Sequence, residues 1–221
     1  MRILAGFLFC LALAPPAVAG PWLREKGRTF TSTSVTLNHF QDAASSTYIE
    51  HGLREDMTVG ADIGVFRNTT AGPSGTATIF LRRPWGNRDG QSLWAYELGA
   101  GASWDGAVIS PHAKTGVTWG RGITFRDKGG WTTVDASYRW DLGAGEDVFK
   151  LDGTLGLNFT DRVAGMFQVY VSHSAGETSA TLAPSVIYAA KSGKTKWQLG
   201  IESPLSDTAR TAIKFGLWRD F

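Results

Sequence analysis

The last ten residues, AIKFGLWRDF, constrain the fold more than any other stretch of the chain. Successive side chains of a strand point to opposite faces, so Ile213, Phe215, Leu217 and Phe221 share one side while Lys214, Gly216, Trp218 and Asp220 share the other. Arg219 falls on the apolar side, where its long stem can carry the guanidinium to an interface. A strand of this kind needs an apolar medium on one face and a polar one on the other. Short alternating segments recur along the chain, separated by turn-forming clusters and without helical periodicity. Beyond residue 19 no apolar run reaches about 18 residues, so no helix crosses a bilayer; if the chain spans one, only a closed barrel satisfies every backbone group.

Composition fits that outcome. The 221 residues include 27 Gly, 9 Trp, 12 Phe and 5 Tyr, and Trp and Tyr settle where lipid meets water. A mean hydropathy of -0.11 is no objection, because a barrel shows lipid only every second residue. The pattern predicts strands over 28–38, 48–53, 57–66, 76–83, 92–102, 112–121, 131–140, 149–159, 164–173, 180–189, 196–202 and 210–221. Loops are expected over 68–75 and 104–111, and the segment from Gly120 to Gly130 carries no clear pattern. The expected fold is therefore an all-β, transmembrane, antiparallel up-and-down barrel of about twelve strands, with ten as the alternative. About 17 residues per strand and connection leave no room for a large plug or soluble domain.

The N-terminus reads as an export signal: Met1-Arg2, an apolar run from Ile3 to Leu13, and the small-residue site Ala17-Val18-Ala19. Residues 1–19 are expected to be removed, leaving residues 20–221 as one barrel domain that begins at Gly20. Cys10, the only cysteine, goes with the signal, and Phe7-Leu8-Phe9 before it lack the small residue of a lipidation site.

The C-terminal strand resembles the assembly signal of bacterial outer-membrane β-barrels, in which apolar residues alternate up to a final Phe. Two internal runs carry a second likeness. EHGLREDMTVGADIG, residues 50–64, and LGLNFTDRVAGMFQVY, residues 155–170, both place Gly-Leu at a strand end before a turn and a returning apolar strand. They resemble the outer-membrane transporters of the phenol meta-pathway type, whose motif is close to Tyr-Gly-Leu-Thr-Asp-Arg-Leu. The second run keeps Thr160-Asp161-Arg162 with Asn158-Phe159 before it; the first keeps Gly52-Leu53 but has His51 and Arg54-Glu55-Asp56 in the remaining places. The resemblance implies an outer-membrane barrel and transport, with outer-membrane lipid and the barrel-assembly machinery as partners.

Functional chemistry is then sought in the lumen. Alternation points Glu50, Asp62, Arg82, Glu97, Lys114, Asp135, Arg139, Lys150, Asp152, Lys196, Glu202 and Lys214 inward. Two readings stand: a water-filled passage whose opposed charges orient small solutes, and a set of interior ion pairs that fills the barrel. A structural or adhesion-like barrel without transport is the alternative function, and a lipid-modifying enzyme the third. His173-Ser174 is the only tempting catalytic pair, but neighbours on a strand point to opposite faces, so no catalytic residue is assigned. His39, His51 and His112 show no metal-ligand spacing, and no metal or cofactor is expected. With 22 basic and 20 acidic residues and no basic stripe, nucleic acid is not an expected partner.

Overall fold

The structure, a computed structural model, describes residues 21–69 and 72–221; the expected signal segment, Cys10 and Gly20 lie outside the described residues. Twelve strands form one closed barrel: β1 (Thr29–Asn38), β2 (Ala43–Arg54), β3 (Met57–Asn68), β4 (Gly72–Pro84), β5 (Ser92–Asp105), β6 (Val108–Phe125), β7 (Lys128–Asp141), β8 (Val148–Asn158), β9 (Val163–Ser174), β10 (Glu177–Ala189), β11 (Thr195–Pro204) and β12 (Ala212–Asp220). Each strand pairs antiparallel with its sequence neighbours, and β1 closes on β12 from Phe30↔Asp220 to Asn38↔Ala212. Phe221 extends that pairing, its N–H donating to the Thr29 carbonyl at 2.9 Å. Closure removes both sheet edges, which a bilayer would not tolerate.

Period two sorts the faces. On β4, Ile79 is 68% exposed and Leu81 faces out beside it, while Thr78, Phe80 and Arg82 are buried in the interior. Exterior rings gather toward both ends: Trp94, Tyr188 and Trp197 near the end that carries both termini, Trp140 and Phe149 near the other. Such paired girdles mark a lipid-facing band. The two ends are called proximal, where the termini lie, and distal.

Several boundaries differ from the sequence expectation. The loop expected over 104–111 is a turn at Gly106 and Ala107, and the one expected over 68–75 is partly strand, with β3 running to Asn68 and β4 starting at Gly72. The segment from Gly120 to Gly130 is strand on both sides of a two-residue turn, where Arg126 and Asp127 both take positive φ (45° and 62°). That is the backbone twist a tight hairpin needs, achieved without the glycine that signals it in sequence. β12 starts at Ala212, because Thr208–Arg210 form one 3-10 turn whose Ala209 N–H is accepted by the Asp207 carboxylate.

Before β1 the chain turns back into the proximal mouth, a feature the sequence did not suggest. Gly27 N–H donates to the Gly52 carbonyl at 2.8 Å and Arg24 N–H to Thr58 Oγ1 at 3.0 Å. Two glycines make room: a Cβ on Gly52 would lie 2.0 Å from the Glu25 carbonyl oxygen, and one on Gly120 2.6 Å from the Pro21 ring. Trp22 then packs on a buried interior cluster of Trp131, Ala164, Met166 and Ile187. Among the described residues, a short strap from Pro21 to Lys26 occupies the mouth.

Candidate functional site

The lumen has two unlike walls and a floor. On the wall built by β2, β4, β5 and β6, alternating charges interlock. Glu50, with no exposed surface, accepts from Arg82 and, at 2.6 Å, from Arg24 Nε of the strap. Arg82 also donates to Glu97 at 2.8 Å and to the Tyr48 hydroxyl at 2.8 Å, and Glu97 accepts from Lys114 at 2.9 Å. Tyr48 in turn donates to Glu50 at 2.6 Å. The register explains the ladder: Arg82 stands opposite Glu97 on β5, and Glu50 of β2 reaches it across β3, where the residue paired with Glu50 is Gly60. Buried charges survive only when paired and hydrogen-bonded, and this set is.

The wall of β7 and β8 is organised differently. Asp135 and Asp152 stand directly opposite each other across the strand pair, and Asp135 accepts from Thr118 at 2.7 Å. Lys150 lies two residues distal of Asp152 and Arg139 four residues distal of Asp135, in register with Lys114. Asp62, from β3 on the far side, acts electrostatically on Asp152, as do Lys150 and Asp135. Among the described residues, Asp62, Arg139, Lys150 and Asp152 make no hydrogen bond or ion pair through their side chains, and Arg139 Nε is buried without a partner.

A cavity of about 360 Å³ lies between these walls; Asp62, Arg82, Glu97, Lys114, Asp135, Arg139, Lys150, Asp152 and Lys214 all line it. Its proximal floor is aromatic and apolar, with Phe30, Trp131, Met166 and Trp218 above the strap. Of the other residues placed inward from sequence, Glu50 sits beneath Arg82, Glu202 holds Lys214 at 2.8 Å, and Lys196 lies near Arg24 and Asp220 at the proximal end. Lys214 donates to the Tyr170 hydroxyl as well, at 3.3 Å.

Sequence reasoning missed the interior rings. It assigned aromatics to the lipid interfaces, yet Phe30, Phe80 and Trp131 are at most 4% exposed and face inward. Their parity gives the signal, since each shares a strand face with inward polar residues. His173 and Ser174 do not meet: His173 Nδ1 lies 2.9 Å from Thr178 Oγ1 and Ser174 donates to the Asp147 carbonyl. His112 is buried, with Nε2 2.9 Å from Thr78 Oγ1. At the proximal rim Arg83 hydrogen-bonds Asp56 and holds its carboxyl below the ordinary range.

No protein-family model and no curated protein sequence matches the chain. Solved structures do resemble it in fold. The KdgM porin superposes with a TM-score of 0.59 at 10% identity, covering 87% of this chain and 99% of that one. An outer-membrane channel from Pseudomonas putida F1 gives 0.55 at 8% identity over 90% and 97% of the two chains. LpxR from Salmonella typhimurium gives 0.53 at 9% identity over 86% and 99%. At such identities the likeness is one of fold: a closed antiparallel barrel of the outer-membrane kind.

Proposed function

We propose that the protein is an outer-membrane channel or transporter that takes small solutes into its lumen from the distal side. The observation that carries this is the cavity itself. A barrel filled for stability alone would pair its interior charges throughout, as strands β2, β4, β5 and β6 do; here four charged side chains face open space without a partner. Unpaired charges in a low-dielectric tube focus their field on whatever enters. Similar folds that carry the names porin and channel support this reading, although LpxR is an enzyme on a similar barrel, so the fold alone does not choose. The finer assignment to the phenol meta-pathway type rests on the two turn motifs alone. Lipid around the exterior band and assembly through the terminal strand complete the proposal.

The strap makes passage conditional. Pro21–Lys26 closes the proximal end through Trp22 and the Arg24–Glu50 pair, so a solute leaves only when the strap shifts. Single-channel conductance of the refolded barrel in planar bilayers tests this. The barrel of residues 20–221 is expected to show small or brief openings, and one lacking residues 21–26 larger and longer ones. Absence of conductance in both forms overturns the channel and leaves the filled barrel.

A further inference from the structure

The lumen charges point to a solute class. We infer that the cavity binds small zwitterions, with the ammonium group held among Asp62, Asp135 and Asp152 and the carboxylate toward Lys150 and Arg139; this rests on the solute-passage reading above.

Three observations converge. First, the partnerless charges are balanced in sign, two acids (Asp62, Asp152) against two bases (Arg139, Lys150), so a ligand of one charge would satisfy half the set and leave the other half desolvated. Second, they are tiered along the barrel. Lys150 stands two residues distal of Asp152 on one strand face, about 7 Å away, so positive charge meets an entering solute before negative. A molecule with its carboxylate trailing and its ammonium leading matches both tiers in one pose. Third, Asp135 and Asp152 face each other across adjacent strands, a like-charge arrangement that costs stability unless a cation comes between them. Asp62 lines the same cavity from the opposite wall and acts on Asp152 electrostatically. The cavity, about 360 Å³, suits a molecule of amino-acid size. A polyanion such as the oligogalacturonate bound by the KdgM porin would have to pass the three carboxylates.

Calorimetric titration of the refolded barrel in detergent micelles, with 4-aminobutyrate, butyrate and butylamine as matched probes, tests the inference. The zwitterion is expected to bind about tenfold more tightly than either singly charged probe, since both of its ends gain a charge-assisted contact. Lys150→Gln should reduce it to the level of butylamine, and Asp152→Asn to that of butyrate. Equal affinity for all three probes, or binding by none, overturns the site. Conductance of the same preparation separates the two ideas. An open channel with no zwitterion preference sinks this inference and leaves passage standing, whereas zwitterion binding in a barrel that never conducts keeps the site and removes passage.

Discussion

Two walls of one barrel treat charge in opposite ways. On the β2–β6 side, Arg24, Glu50, Arg82, Glu97 and Lys114 alternate in sign and touch in series, so each charge is neutralised where it is buried. On the β7–β8 side, Asp135 and Asp152 oppose each other and Lys150 and Arg139 are left without ion pairs. The first arrangement is what a closed polar interior needs for stability. The second leaves part of the lumen's charge to be completed by something that enters. One wall holds the barrel's shape and anchors the strap, and the other lines the solute site proposed above.

The comparison breaks first at Arg82. Arg82→Met leaves Glu50 and Glu97 as buried acids without their shared partner, and a loss of about 3–5 kcal/mol in urea unfolding is expected. The paired change Asp62→Asn with Asp152→Asn removes two partnerless charges, one on β3 and one on β8; it should leave stability within about 1 kcal/mol while moving ion preference toward anions. If both variants unfold alike, the walls do not differ in the way described. A smaller effect belongs to the outer face. Phe215 is 51% exposed on the strand that closes the barrel, and Phe215→Arg sets a charge in lipid at a cost of about 2–4 kcal/mol, falling toward the interface. Heat-modifiable mobility of the membrane-inserted protein reads that loss, and unchanged mobility would show that this face does not meet lipid.

Much of the barrel is written in period two. Strand count, closure and the inward placement of Glu50, Asp62 and Asp152 all follow from alternation, because burial on a strand depends on parity alone. What alternation cannot distinguish is Glu50 from Asp62. Both are inward acids on adjacent strands, yet one meets Arg82 from two strands away and the other meets open space, an outcome set by stagger around the closed ring. The strap was illegible for another reason. Pro21–Lys26 has no periodicity, and besides Trp22 and Arg24 it is held by backbone hydrogen bonds and by glycine gaps at Gly52 and Gly120, positions that look like ordinary barrel glycines until the chain is seen to return.

The smallest expected effect lies beyond both walls, at the distal rim, where charge is solvated. Asp42, in the turn between β1 and β2, accepts from the Asn38 side-chain amide and from Thr69 N–H, and pairs with Arg210 at 2.9 Å. These contacts, the Asn38 bond foremost, hold its carboxyl below the ordinary value of 3.8. A lowered folded value means that the contribution is present above the unfolded value and is lost as pH falls through the folded one. Three distal elements meet at this carboxylate: the β1–β2 turn, the β3–β4 loop and the 3-10 turn before β12. Acidification below about pH 4 should therefore loosen them together without unfolding the barrel. Hydrogen exchange at the Thr69 amide reports it: protection should fall between pH 5 and pH 3 beyond the intrinsic change in the native protein, and be low at both values in Asp42→Ala. An equal pH response in the two proteins would mean that Asp42 does not tie the rim, while the lumen walls, which share none of these contacts, should keep their protection throughout.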